Sequence, residues 1–172
     1  MVRTILDNFC VKSGTLCQKC EEKVRKGQIT EQDLKIIRTL SELERDFNSL
    51  QNIFFHKSVD TGNTLAILVD KSDIGKILSH GGKIIRTLGE KTGKRIKILA
   101  YGTDPRQFLE ELLNPFSILT INTVWLPDGT TETKVILHGR EPRHMPVDLD
   151  VARRLAKDIA GLTLRIEFER QQ

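Results

Sequence analysis

The same order of helices and strands is predicted twice along this chain of 172 residues, and this repeat constrains the fold more than any other feature. Residues 30–101 have the pattern helix, strand, strand, helix, helix, strand. Residues 104–169 have the pattern helix, strand, strand, connector, helix, strand. Such a repeat predicts two similar units of roughly 70 residues, each with its own small core, behind a cysteine-containing head.

Residues that favour helix ends support these boundaries. Thr30 is a good N-cap with Asp33 in the capping-box position, and an apolar stripe at helical spacing follows. Asp104 followed by proline predicts the start of the helix that opens the second unit, and Gly161 predicts the end of its last helix. We therefore expect an α+β chain with three parts, namely residues 1–28, 29–102 and 103–172.

Positive charge is concentrated in one stretch of the first unit, residues 71–98. It contains eight basic and two acidic residues, a local charge of +6, whereas the whole chain carries only +4. A short helix, the loop Ser79-His80-Gly81-Gly82, a second helix and a basic strand are predicted here, with Ile77, Leu78, Ile85 and Leu88 buried. Clustered basic charge favours a polyanionic partner.

Composition excludes several other classes of protein. No apolar run approaches the length of roughly 18 residues that spans a bilayer, and the first residues lack the apolar core of a signal peptide. We therefore expect a cytoplasmic protein without a membrane partner. Motifs of nucleophilic, nucleotide-dependent or paired-carboxylate catalysis are absent, and the four histidines have no metal-ligand spacing. The chain is not expected to be an enzyme.

All three cysteines, Cys10, Cys17 and Cys20, lie in the head. Cys17 and Cys20 form a C-x-x-C pair whose spacing suits two thiolate ligands of one metal ion, and Cys10 is a candidate third ligand. Asp7 precedes Cys10 at the same spacing, so its carboxylate is a candidate fourth ligand of a structural zinc ion. The alternatives are a metal-free knuckle and a disulfide between two of the cysteines.

The run that begins at Asp73-Ile74-Gly75 and continues through the loop to Arg86 resembles the D-x-G-x-x-I-G-x-x-G-x-x-I signature of type II KH domains. Two such units in tandem resemble the paired KH domains of NusA transcription factors, particularly the short archaeal NusA-like proteins. The resemblance covers residues 30–169. It implies two tandem type II KH domains, each α-β-β-α-α-β. The cysteine head is similar to zinc-knuckle extensions that precede some archaeal KH proteins.

The resemblance also implies where nucleic acid binds. In the family, a G-x-x-G loop clamps about four nucleotides, and the N-terminus of the next helix faces a phosphate. Carried over by position, that loop is the SHGG segment. The residues expected to contact nucleic acid are Lys76, Ser79, His80, Gly81, Gly82, Lys83 and Arg86.

This chain departs from the family pattern at two places. Ser79 replaces the first glycine, where a positive φ would be costly for serine. In the second unit, Met145-Pro146-Val147-Asp148 occupies the loop position without a glycine, and the Asp148 carboxylate would repel phosphate. Arg140, Arg143, Arg153 and Arg154 either extend an electrostatic track or balance nearby acidic residues.

Two functions follow from the resemblance. The first is single-stranded RNA binding by the first KH domain in transcription elongation or termination. The alternative is a protein-interaction adaptor whose degenerate KH domains dock on RNA polymerase or the ribosome without contacting RNA. A monomer is expected in either case.

Overall fold

The structure, a computed structural model, describes residues 1–170 and divides into two compact units. The first is Met1–Tyr101, and the second begins at Gly102. Among the described helices, none combines the length and the apolar character needed to cross a membrane.

The first unit contains five helices and a three-stranded sheet. In chain order its elements are α1 (Asn8–Ser13), α2 (Gln18–Arg25), α3 (Glu31–Leu43), β1 (Phe55–Asp60), β2 (Thr64–Val69), α4 (Ile74–Leu78), α5 (Lys83–Thr92) and β3 (Arg95–Ala100). The central strand β2 pairs antiparallel with β1 and parallel with β3. All six residues of β2 are buried, as its continuous apolar run predicts.

The predicted capping box at the start of α3 is confirmed and also ties the helix to the sheet. The Thr30 hydroxyl accepts from the Asp33 amide at 3.1 Å, and the Asp33 carboxylate accepts from the Thr30 amide at 2.9 Å. The second Asp33 oxygen accepts from the Ser58 amide on β1 at 2.8 Å and from the Ser58 hydroxyl. Asp33 is 2% exposed, and these donors replace the water that it loses on burial.

The cysteine head shares its core with the rest of the first unit. Val2, Leu6, Cys10 and Cys20 belong to the same buried cluster as the apolar residues of α3, the sheet and α5. Arg3 adds backbone bonds, because its amide donates to the Ile53 carbonyl at 2.7 Å and its carbonyl accepts from the Phe55 amide at 2.8 Å. The head therefore packs as part of the unit that carries the SHGG loop.

The second unit repeats the topology of residues 30–101 with one helix fewer. Its elements are α6 (Pro105–Leu113), β4 (Ile118–Trp125), β5 (Thr131–Leu137), α7 (Leu149–Ala160) and β6 (Leu164–Phe168). Strand β5 is central, antiparallel to β4 and parallel to β6, so the pairing matches the first sheet. The expectation that each unit has the order α-β-β-α-α-β is wrong for the second unit, because residues 138–148 form no helix. Pro142 and Pro146 disfavour a helix in this segment.

Of the four apolar side chains predicted to be buried around the loop, one is exposed. Ile77 and Leu88 are fully buried and Ile85 is partly buried, but Leu78 is 53% exposed, so that prediction is wrong. Leu78 is the last residue of the five-residue helix α4, which ends before its next turn could cover this side chain. Ile84, which we did not select, is fully buried with Leu88 one turn later on α5.

Candidate nucleic-acid interface and metal site

The loop between α4 and α5 has an unusual backbone. Ser79 is extended, with φ −66° and ψ 177°. The next three residues are all left-handed, with φ of 59° at His80, 63° at Gly81 and 79° at Gly82. The positive φ that would be costly for serine does not occur at Ser79, and the strained non-glycine position is His80. Serine at position 79 carries no backbone penalty.

Contacts with the segment that follows α3 hold this loop in place. The Ser79 hydroxyl lies 3.2 Å from the Ser49 hydroxyl and donates to the Lys76 carbonyl. The His80 ring packs against the Phe47 ring, with 5.1 Å between centroids. The imidazole of His80 therefore contacts the protein through Phe47, and this contact stabilises the left-handed turn.

The helix after the loop begins without a side-chain cap, and basic residues surround its first turn. Gly82 occupies the N-cap position of α5, so no side chain accepts from the first amide groups. Lys83 and Arg86 are exposed, and no carboxylate among residues 1–170 pairs with either. The Lys83 amide donates to the His80 carbonyl, so this helix end offers the positive end of its dipole and two available cations.

Lys76 differs from these two cations. Its ammonium group lies 2.8 Å from the Asp73 carboxylate, whose side chain is 3% exposed. The other Asp73 oxygen accepts from the Phe54 amide at 2.9 Å. The aspartate of the D-x-G segment therefore fixes the start of α4 to the sheet, and Lys76 neutralises its buried charge.

The corresponding region of the second unit is closed by its own acidic residue. The Asp148 carboxylate caps α7 by accepting from the amides of Asp150 at 3.0 Å and Val151 at 3.2 Å. Arg153 pairs with Asp150 at 2.7 Å, and Arg154 lies 3.8 Å from Asp158. For these two arginines the structure favours local charge balance over an electrostatic track.

The head brings together the four residues predicted as metal ligands. One ligand atom from each of Asp7, Cys10, Cys17 and Cys20 lies within 4.8 Å of the others. Asp7 and Cys17 occupy the N-cap positions of α1 and α2, and each of the two remaining cysteines lies three residues further on in the same helix. Because the D-x-x-C and C-x-x-C motifs have the same spacing, each supplies one N-cap residue and one first-turn residue, and the four side chains meet at one point.

The surroundings of the sulfur atoms suit a metal ion. All three cysteines are free, and Cys10 and Cys20 are buried. Backbone amides point at the buried sulfurs, from Cys17 to Cys10 at 3.2 Å and from Asp7 to Cys20 at 3.5 Å. Such outer contacts orient ligands around a metal. Three sulfurs and one carboxylate oxygen match the ligand types and number of a tetrahedral zinc site.

Two of the thiols have altered acidity. The backbone amide of Cys20, and then the neighbouring thiols Cys10 and Cys20, lower the pKa of Cys17. Burial raises the pKa of Cys20 to about 11. Ligation of a cation removes the proton from such a thiol, because the charge on the metal offsets the cost of burying a thiolate.

Two groups of residues that the sequence did not predict also lie in the first unit. His56 hydrogen-bonds Asp70 at 2.6 Å, and its ring stacks on that of Tyr101 at 4.0 Å. Lys12 from the end of α1, Arg38 from α3 and Arg45 from the turn that follows α3 line a polar groove. The sequence did not indicate this groove, since nothing local to these residues shows that α1 packs beside α3.

The fold and these sites describe a two-unit α+β protein with an exposed basic loop and a cysteine cluster in its first unit. No family model matches the chain. Two archaeal proteins named "Probable transcription termination protein NusA" are similar in sequence. The one from Methanocaldococcus jannaschii is 28% identical over 80 residues, which are 46% of this chain and 42% of that protein. The one from Methanococcus vannielii is 24% identical over 120 residues, which are 61% of this chain and 68% of that protein.

A solved structure has a similar fold. The crystal structure of APE1850 matches with a TM-score of 0.54 and 20% sequence identity, covering 77% of this chain and 96% of that one. Together the comparisons show weak, partial homology to archaeal NusA-like proteins. The similar region spans less than half of the length of the Methanocaldococcus protein.

Proposed function

We propose that this chain binds single-stranded RNA through the SHGG loop of a type II KH domain, and that it acts in transcription elongation or termination. One observation carries the proposal. The left-handed turn of residues 80–82 opens α5 without a side-chain cap, and unpaired Lys83 and Arg86 lie beside it. Binding to RNA, and not catalysis, is the activity proposed.

The loop geometry suits a phosphate. A Cβ built on Gly81 or Gly82 meets no atom within 4 Å, so the space over both glycines is open to a ligand. A phosphate placed there would lie at the positive end of the α5 dipole and face the charges of Lys83 and Arg86. The Ser79 hydroxyl can donate to a phosphate when it leaves the Lys76 carbonyl, whereas Lys76 adds little net charge while it is paired with Asp73.

The homology supports the transcriptional context. The two similar archaeal proteins carry names that refer to transcription termination, and the paired units resemble the tandem KH arrangement of NusA proteins. Single-stranded RNA is the ligand that KH domains clamp at this loop. RNA polymerase is a further proposed partner on the same grounds, and a cytoplasmic monomer stays a prediction.

Charge reversal in the loop tests the RNA site. Replacing Gly81 and Gly82 together with Asp places two carboxylates where the phosphate would lie, and we expect RNA affinity to fall by at least about tenfold. The matched control replaces both glycines with Asn, which tolerates the left-handed region about as well as Asp but carries no charge. Filter binding to unstructured RNA at low salt measures both variants.

The control separates charge from backbone strain. Retained binding by the Asn variant with loss in the Asp variant supports phosphate contact at the loop. Equal affinity of the Asp variant and the unmodified chain would exclude the loop as the RNA site.

The adaptor function remains the second candidate because of one observation on the second unit. Trp125, at the end of β4, is 74% exposed, and Leu119 on the same strand is 43% exposed. Exposed apolar side chains of this size are typical of protein contact sites. An unmodified chain that binds no RNA at low salt but binds purified archaeal RNA polymerase would favour the adaptor.

A further inference from the structure

A polar groove lies on the first unit beside the SHGG loop and is the feature with the clearest unassigned chemistry. It has a volume of about 800 Å³, within the range of ligand-sized sites. The end of α1, the second half of α3 and the turn that follows α3 form its walls. We refer to it as the α1–α3 groove.

Three cations line the α1–α3 groove, namely Lys12, Arg38 and Arg45. None of them forms an ion pair with a carboxylate in the part of the chain that the structure describes. Two glutamates also line the groove. Glu44 pairs with the Met1 amino group at 2.7 Å and accepts from the Val2 amide, whereas Glu42 pairs with Lys91 at 2.9 Å.

The two glutamates therefore leave the groove with excess positive charge. Lys91 lowers the pKa of Glu42, and Arg45 makes a smaller contribution to the same shift. Each glutamate charge already has a cationic partner, whereas the three lining cations have none. An exposed groove with this balance attracts polyanions.

The turn that follows α3 both contacts the loop and lines the groove. Phe47 packs on His80, and Ser49 contacts Ser79. Asn48 and Gln51, from the same turn, line the groove. A strand that leaves the loop on this side meets the groove directly, and the exposed amides of Asn48 and Gln51 can hydrogen-bond base edges.

We propose that the α1–α3 groove is a second contact site for the same RNA strand, with Lys12, Arg38 and Arg45 binding phosphates beyond the nucleotides held at the loop. This inference rests on the proposed function and extends it. The RNA footprint is then longer than the roughly four nucleotides of one KH loop. The wall that bears Lys12 belongs to the helix that also carries Cys10, so the cysteine head contributes to RNA binding by shaping this wall.

Oligonucleotide length tests the proposal. Affinity is measured for an unstructured RNA of about four nucleotides, matching the loop, and for one of roughly ten nucleotides, a length typical of extended single-strand sites. The test variant combines Arg38→Ala with Arg45→Ala. The control combines Arg25→Ala with Lys26→Ala, which removes the same charge from the end of α2 outside the groove.

We expect the groove variant to bind the long RNA about tenfold more weakly and the short RNA as the unmodified chain does. For the long RNA, loss of two phosphate contacts reduces the slope of log affinity against log salt by about 1.4. The control variant should keep the affinity of the unmodified chain for both the short and the long RNA. Equal effects on short and long RNA, no effect on either, or an equal loss in the control would overturn the proposal.

The loop variants distinguish failure of the groove from failure of the proposed function. If the Gly81→Asp and Gly82→Asp variant loses both RNAs while the groove variant loses neither, the loop site stands and the groove proposal fails. If the groove variant loses the long RNA while the loop variant is unaffected, the loop site fails and the groove alone binds RNA. If neither variant changes either affinity, both fail.

Discussion

His80 shows how one residue determines the shape of the loop. A non-glycine residue in the left-handed region costs about 1 kcal/mol, and here the ring contact with Phe47 offsets part of that cost. Ser79 is extended and needs no glycine, although the family pattern has one at this position. The first positive φ of the loop is therefore at His80, and the space over Gly81 and Gly82 is open.

Asp33 is the residue whose loss should cost the first unit most among its polar side chains. Asp33→Ala leaves the partly buried amide and hydroxyl of Ser58 and the amide of Thr30 without their acceptor, so we expect a loss of about 3 kcal/mol. Thr30→Ala removes only the reciprocal cap and should cost about 1 kcal/mol. Urea unfolding of both variants measures the difference. Equal costs would contradict the role of Asp33 in joining α3 to β1.

At the scale of elements, α1 and α2 are too short to be stable alone. They contain six and eight residues, whereas isolated helices shorter than about 12 residues are marginal in water. Their buried side chains Cys10 and Cys20 add little apolar area. Beyond the packing of the head on the core of the first unit, the cluster of four ligand atoms connects the first turns of both helices.

Zinc binding should therefore stabilise the first unit. At a free zinc concentration a thousandfold above its Kd, the stabilisation is about 4 kcal/mol, which for a unit of this size corresponds to a rise in Tm of about 10 °C or more. Thermal melts with zinc and with a chelator measure this, together with the zinc content per chain. Cys20→Ser should abolish the shift, and Ser13→Ala in the same head should retain it. A Tm that does not respond to the chelator would exclude a structural metal.

At the scale of the whole molecule, charge is distributed unequally. The chain carries +4, but residues 71–98 alone carry +6. The arginines of α7 are paired with aspartates of the same helix, whereas Lys83 and Arg86 are not paired. Long-range attraction for RNA should then come from the first unit.

Salt dependence distinguishes the two units. Lys83→Ala combined with Arg86→Ala should reduce the salt slope of RNA affinity by about 1.4, as expected for two single-strand phosphate contacts. Arg153→Ala combined with Arg154→Ala removes the same formal charge from the second unit and should leave the slope unchanged. A similar decrease in both variants would indicate that α7 also contacts RNA.

The local features of the fold could be predicted from the sequence, whereas several long-range features could not. Caps, apolar periodicity and turn residues act over a few positions, so the helix α3, both hairpins and the repeat were predicted correctly. The C-x-x-C spacing indicated the cluster for the same reason. The positive φ at His80 and the groove beside Arg38 depend on packing between distant segments. Periodicity alone does not specify such packing.

The Asp148 cap has a consequence for how a strand can lie on this molecule. Its carboxylate already accepts from the amide groups that a phosphate would need on α7. Because this competing acceptor is part of the same chain, a phosphate in solution does not readily displace it. The corresponding helix end on α5 has no such competitor. If the loop holds RNA, the chain therefore has one helix end that can accept a phosphate and not two, and only the first unit clamps the strand at a loop of this kind.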